Sequence, residues 1–87
     1  MRFVRFSDRF YASKNLHAPA GTPEGRAVAR IIVALGEDPT LPMPQDREAM
    51  IPPMMLCMAR PIPSAGLLVC YVVRDDVVYV IGVKTVR

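Results

Sequence analysis

The most constraining feature of the sequence is an apolar stretch near its C-terminal end, GLLVCYVVRDDVVYVIGV, at residues 66–83. A single charged triplet, Arg74-Asp75-Asp76, interrupts it and predicts two strands joined by a tight turn at Asp75-Asp76. Successive side chains of a strand point to opposite sides of its sheet, so a half-buried strand alternates apolar with polar residues. This stretch is apolar at both parities. Both faces of its sheet therefore require apolar cover.

Strict alternation also assigns the side chains of this hairpin to faces. In its first strand, Leu67, Val69, Tyr71 and Val73 oppose Leu68, Cys70 and Val72. In its second strand, Val77, Tyr79, Ile81 and Val83 oppose Val78 and Val80.

The N-terminal part of the chain predicts one strand and two helices. Aromatic, β-branched and basic residues at 2–6 are typical of a short strand. Ser7 is a suitable N-cap for a weakly marked helix that runs to about Leu16.

A second helix has the clearest signals in the chain. Thr22 is a suitable N-cap, Pro23 fits the first helical position, and Gly36 is expected to end the helix in a left-handed conformation. Its apolar residues form one broad stripe. We expect three of them at the centre of the core: Ile31, Ile32 and Leu35.

The middle of the chain, from Glu37 to Pro53, is predicted to be a loop because prolines are dense there and cannot donate to a central ladder. Residues 54–60 are apolar at both parities and predict a strand, with a short helix as the alternative. The sequence thus predicts a single α+β domain over residues 1–87, with about four strands, mainly antiparallel, and one or two helices packed on one face.

Composition limits the classes of function. The chain is 52% hydrophobic and 22% charged, and it has no apolar run of the roughly 20 residues that a membrane helix needs. The N-terminal segment lacks the apolar core of a signal peptide, so we expect a cytoplasmic protein without a membrane partner. The net charge of +3 permits an anionic partner, but the basic residues form no run.

Metal and cofactor sites are not predicted. Cys57 and Cys70 lack CxxC spacing, and with one histidine the chain cannot assemble a convincing zinc site. We expect two buried free thiols. A disulfide is the alternative if their strands pair, although a reducing compartment disfavours it.

The apolar surface exceeds what one or two helices can cover, which predicts a protein partner or a homodimer. Methionine-rich strands suit adaptable binding surfaces. The expected partner-binding residues are Met54, Met55, Leu56, Met58 and Leu68. The alternative is that the proline- and methionine-rich segment folds back and completes the core.

The C-terminal third resembles toxins of the RelE/ParE superfamily, which belong to bacterial toxin–antitoxin pairs. The pattern consists of an Arg, a short link, a Gly, an apolar-Val-x-Tyr strand, an acidic turn and a closing apolar strand. Its members here are Arg60, Gly66, Val69, Tyr71, Asp75-Asp76 and Val77 to Val83. The order of elements agrees over most of the chain.

The resemblance implies a growth-inhibiting protein that an antitoxin neutralises and that acts by gyrase-type poisoning or by ribosome-associated mRNA cleavage. RNA cleavage needs a proton acceptor, a proton donor and cations. Positions that are basic in ribonuclease relatives are apolar here. The remaining candidates for catalysis are Arg60, Lys84, Arg87 and Tyr79, with Tyr71 and His17 as further proton-transfer groups.

A different class of function is also open. The same scaffold suits a non-catalytic binding or inhibitor protein, such as one encoded by a phage or plasmid, that uses its apolar sheet face to bind a partner.

Overall fold

The protein forms a five-stranded sheet with two helices packed against it. The structure, a computed structural model, describes residues 2–51 and 55–86. Its elements are β1 (Phe3–Phe6), α1 (Asp8–His17), α2 (Pro23–Glu37), β2 (Arg47–Ile51), β3 (Met55–Ile62), β4 (Leu67–Arg74) and β5 (Val77–Thr85). The strand order is β1-β5-β4-β3-β2, with β1 parallel to β5 and every other pair antiparallel. The predicted α+β class is confirmed.

One more strand is present than the sequence predicted. The loop predicted between Glu37 and Pro53 contains β2, so that prediction was wrong for residues 47–51. Prolines dominate the segment, but none falls within Arg47-Glu48-Ala49-Met50-Ile51. As an edge strand, β2 also needs only one hydrogen-bonded neighbour, β3.

Both helices begin where the sequence predicted. The hydroxyl of Ser7 accepts a hydrogen bond from the Phe10 amide at 3.2 Å, and that of Thr22 accepts one from the Gly25 amide at 3.0 Å. Each satisfies an amide that has no partner within the helix. Neither helix combines the length and apolar character needed to cross a membrane, as judged over the described residues.

The end and the buried stripe of α2 differ from the prediction. The helix continues through Gly36 to Glu37, so Gly36 is not a left-handed stop. Its small size matters instead, because a Cβ there would lie 3.3 Å from Cγ2 of Val4. Leu35 is fully buried as expected, whereas Ile31 and Ile32 are only half-buried at the margin of the core.

The two faces of the sheet differ in cover. On the core face, strand residues pack against Phe10 of α1 and against Val28 and Leu35 of α2. The strand residues buried there are Ile62, Leu67, Val69, Tyr71, Val78, Val80 and Val83. The opposite side, which we call the open face, has a smaller cluster of Cys57, Ala59, Leu68 and Cys70. Around that cluster Ala49, Ile51, Val72 and Ile81 are only partly buried.

A β-bulge changes the predicted alternation in β5. Cys70 pairs with Gly82, but Tyr71 pairs with Val80, so Ile81 is the extra residue. Val83 therefore joins Val78 and Val80 on the core face, which corrects its assignment by strict alternation. The turn between β4 and β5 forms as predicted, with Asp75 at φ 54°.

Helix α1 occupies the edge of β5 beyond the end of β1. Strand β1 pairs only as far as Phe6 with Val80. After that point the Ser7 hydroxyl donates to the Ile81 carbonyl at 3.0 Å, and the Val83 amide donates to the Ser13 hydroxyl at 2.9 Å. Two serine side chains thus replace the ladder that a longer β1 would have provided.

Replacing Ser13 with Ala should destabilise the fold because it leaves the Val83 amide without its acceptor. We expect a loss of about 1–2 kcal/mol in the free energy of unfolding, measured by urea denaturation. Ser64→Ala, at an exposed position, is the matched control. Equal stability of the two variants would contradict this role for Ser13.

Candidate functional site: the open face of the sheet

Arg60, a candidate from the sequence, lies in a buried ion-pair network on the core face. Its side chain is 4% exposed and that of Asp46 is fully buried. One guanidinium nitrogen lies 3.0 Å from Asp46 Oδ2 and 3.0 Å from Asp38 Oδ2, and Nε donates to Asp46 Oδ1. The Tyr71 hydroxyl also donates to Asp46. Through this network, the segment between Asp38 and Asp46 is bonded to strands β3 and β4.

The network shifts the ionisation of its members. Burial alone would raise the pKa of Asp46, but hydrogen bonds from Arg60, Tyr71 and the Met43 amide outweigh it and hold that pKa below its usual value. The hydrogen bond to Asp46 raises the pKa of Arg60 despite burial. Burial, followed by the hydrogen bond to Asp46, raises the pKa of Tyr71. Arg60 is therefore a permanently charged structural partner in this state, and a catalytic role for it stays a prediction.

The open face has a one-sided distribution of charge. Strand register places four basic residues on this side of the sheet: Arg5, Arg47, Arg74 and Lys84. Among the described strand positions on this face there is no carboxylate, because the only strand acid, Glu48, pairs with Met58 on the core face. The charged strand side chains on the open face are therefore all basic in the described part of the chain.

Two apolar grooves lie on the same face. A groove of about 460 Å³ runs between α1 and the ends of β2 and β5, with Leu16, Met50 and Ile81 among its lining residues and Lys84 at its border. A second groove of about 300 Å³ lies between Met55, Val72 and Tyr79. Ile81 lines both grooves. The open face thus combines apolar recesses with flanking cations.

The predicted partner-binding residues fall into different environments. Met55 is 48% exposed and Leu56 is 68% exposed at the start of β3. Met58 packs against the core, and Leu68 is only 6% exposed, which leaves both with little surface to offer. Met54 lies outside the described residues, as does the catalytic candidate Arg87.

Two of the other candidate catalytic residues lie on the same face of the sheet. Lys84 and Tyr79 both lie on the open face, and Tyr79 is 39% exposed. His17 is the last residue of α1 and is not among the residues that line either groove. No cluster of three or more His, Cys, Asp or Glu side chains suited to a metal occurs within residues 2–51 and 55–86.

Sequence reasoning named Lys84 but missed Arg5, Arg47 and Arg74 as residues of the open face, and it missed the acidic partner of Arg60. Arg5 and Arg47 are separated by 42 positions in sequence but share a face through the sheet order. The alternation in Arg2-Phe3-Val4-Arg5-Phe6 was a usable signal, because Arg5 and Val4 must point to opposite faces. No local pattern links Asp46 to Arg60.

Solved structures share this architecture over nearly the whole chain. YafQ from E. coli has a TM-score of 0.69 at 16% identity, covering 98% of this chain and 93% of that one. A copper-bound mutant toxin from Helicobacter pylori has a TM-score of 0.66 at 15% identity, with 98% and 94% covered. The protein HP0894 from the same organism has a TM-score of 0.62 at 19% identity and the same coverage.

The chain has the RelE/ParE-like fold. The fold that the resemblance implied is thereby confirmed. No protein-family model matches the chain, and no curated protein matches its sequence. The copper in the Helicobacter structure belongs to that protein and says nothing of this chain's residues.

Replacing Asp46 with Asn should destabilise the protein strongly, because it leaves the buried Arg60 guanidinium without its nearest charge partner. We expect a loss of about 3–5 kcal/mol, measured by urea denaturation. Tyr71→Phe removes one hydrogen bond and keeps the ion pair, so it should cost about 1.5 kcal/mol. A Tyr71→Phe variant as unstable as Asp46→Asn would contradict the central place of the ion pair.

The ion pair also predicts a pH dependence. Since folding lowers the pKa of Asp46, its contribution is fully present above the unfolded pKa of about 3.9 and is lost as the pH falls through the lower folded pKa. The free energy of unfolding of the wild type should therefore decline below about pH 4. Asp46→Asn should show a shallower decline over the same range, and parallel curves would count against the assignment.

Proposed function

We propose that this protein is the toxin of a bacterial toxin–antitoxin pair, and that it acts in the cytoplasm through its open face. One observation carries the proposal: apolar grooves and four cations share a face that has no strand carboxylate among the described residues. The likeness of fold to a Helicobacter toxin supports the same conclusion.

The open face suits an antitoxin segment that is both apolar and acidic. Apolar side chains of such a segment would fill the grooves beside Met50, Met55 and Ile81. Its carboxylates would pair with Arg47, Arg74 or Lys84 at the margins. Burial of apolar area would then provide affinity, and charge complementarity would provide specificity and speed of association.

The same cations suit a target that contains nucleic acid. Both targets that the resemblance implies, the mRNA-bearing ribosome and DNA-bound gyrase, present phosphates. An arginine binds phosphate but cannot be deprotonated, so it does not act as a general base. Proton transfer at the open face would fall to Tyr79 and Lys84, which makes RNA cleavage depend on these two side chains.

Inducible expression in E. coli tests the proposal. The wild-type protein should arrest growth, and co-expression of the protein encoded next to it should restore growth. Combining Arg47→Glu with Lys84→Glu should raise colony counts at least tenfold at equal protein level, because the open face would lose its attraction for phosphate. Combining Arg26→Glu with Arg30→Glu, at two exposed positions of α2, makes a matched double charge reversal and should leave the arrest intact.

RNA integrity separates the modes of action. Fragmented transcripts that become intact in Tyr79→Phe, with Tyr11→Phe as the exposed control, would indicate a ribonuclease. Arrest with intact transcripts and a DNA-damage response would indicate gyrase poisoning. Unimpaired growth under wild-type expression would overturn the toxin proposal and favour a binding or inhibitor protein.

A further inference from the structure

The larger groove of the open face, which we call the α1 groove, has α1 on one side and the end of β2 on the other. Its volume of about 460 Å³ falls within the roughly 300–1,000 Å³ typical of small-molecule sites. Arg9, Ala12, Ser13 and Leu16 all line it, and this spacing places them on one face of α1. The groove therefore follows α1 for about two turns, or roughly 10 Å.

The α1 groove is narrow where Gly82 separates its two walls. A Cβ atom placed on Gly82 would lie 3.6 Å from Cδ1 of Ile51 and 3.6 Å from the hydroxyl oxygen of Ser13. Because both wall atoms lie at this distance from the same point, they are no more than twice that distance apart. Apolar carbons make their best contacts at about 3.5–4.0 Å, so the gap accepts one alkyl carbon. An α-helix, about 10–12 Å across with its side chains, is too wide to enter it.

The charged residues that line the α1 groove are both basic. They are Arg9 and Lys84, and no carboxylate is among the described residues that line it. Arg9 is already engaged in an interaction of its own. Lys84 is half-buried, and its ammonium makes no hydrogen bond or ion pair with any residue in the described ranges. A carboxylate that reached Lys84 would therefore gain a charge-assisted hydrogen bond.

Lys84 lies toward one end of the α1 groove. The Ser7 hydroxyl donates to the Ile81 carbonyl at 3.0 Å, and the Val83 amide donates to the Ser13 hydroxyl at 2.9 Å, so α1 and β5 advance in the same direction. Lys84 follows Val83 and is level with the last turn of α1. Away from Lys84, the groove continues along the apolar side chain of Ile81. It thus offers a cation near one end and an apolar slot beyond it.

We propose that the α1 groove binds an unbranched aliphatic carboxylate, with its carboxylate at Lys84 and its alkyl chain between α1 and Ile51. Burial of apolar area supplies most of the affinity, and Lys84 selects an acid over the corresponding alcohol. The narrow gap above Gly82 excludes branched chains. The site does not depend on the toxin proposal. Since the groove belongs to the surface proposed for the antitoxin, a bound chain would compete with an antitoxin there.

Titration of the purified full-length chain with octanoate, followed by amide chemical shifts in NMR spectra, tests the site. We expect one octanoate per chain and shifts centred on Gly82. Octanoate should bind at least tenfold more tightly than its branched isomer valproate, which carries the same charge. Gly82→Ala should weaken octanoate binding at least tenfold, because the added methyl group fills the gap at ordinary contact distance from both walls.

The contribution of charge is tested separately. Lys84→Met should weaken octanoate binding at least tenfold and leave the weaker binding of octanol unchanged. Lys14→Met, which removes the other lysine of the chain from a position outside the groove, is the matched control and should bind octanoate like the wild type. Circular dichroism verifies that each variant is folded.

Three results would overturn the proposal. The first is no saturable octanoate binding, or equal affinity for octanoate, valproate and octanol. The second is unchanged octanoate binding by folded Gly82→Ala or Lys84→Met. The third is a wild-type dimer that Gly82→Ala dissociates in sedimentation experiments, since a second copy of the chain would then fill the groove.

Discussion

The β4–β5 hairpin is apolar on both sides, and this constraint determines where the other elements lie. One side of the hairpin is covered by α2 and Phe10 and becomes the core face. The other side has no helix residue in its buried cluster, and three of the four buried residues there are small: Cys57, Ala59 and Cys70. Small side chains at the centre of the sheet are buried by the adjacent strands even though no helix packs over them. Their small size also leaves the grooves that larger side chains would have filled.

The bulge at Ile81 determines which residues of β5 face the covered side of the sheet. Without the extra residue, Gly82 would face the core and Val83 would face the open side. The bulge gives Val83 to the core and leaves Gly82 beside Ser13, where α1 satisfies the edge of β5. Packing and backbone hydrogen bonding thus require the same irregularity.

Charge is segregated between the two faces. Arg60 is the one cation whose side chain is buried on the core face in the described part of the chain, and two carboxylates neutralise it. The open face has cations without strand carboxylates, at the borders of apolar recesses. Like charges on one face repel each other, so this arrangement does not stabilise the folded monomer.

Local sequence signals predicted the helices and the turn whose ends carry capping or turn-forming residues. Ser7, Thr22 and Pro23 identified both helix starts, and Asp75-Asp76 identified the hairpin turn, because caps and turns depend on residues a few positions apart. The edge strand β2 was missed because its neighbours in sequence are prolines and its apolar pattern is weak. The pairing of Asp46 with Arg60 was missed because it joins positions 14 residues apart through the fold.

The sequence by itself determined that the last two strands would be apolar on both sides and that one helix would begin at Thr22, because these properties follow from side-chain period and capping. Only the tertiary structure decided that four scattered cations share a face and that Cys57 and Cys70 lie diagonally on paired strands. Strand order and register bring distant positions together, and neither leaves a mark in the local pattern of residues.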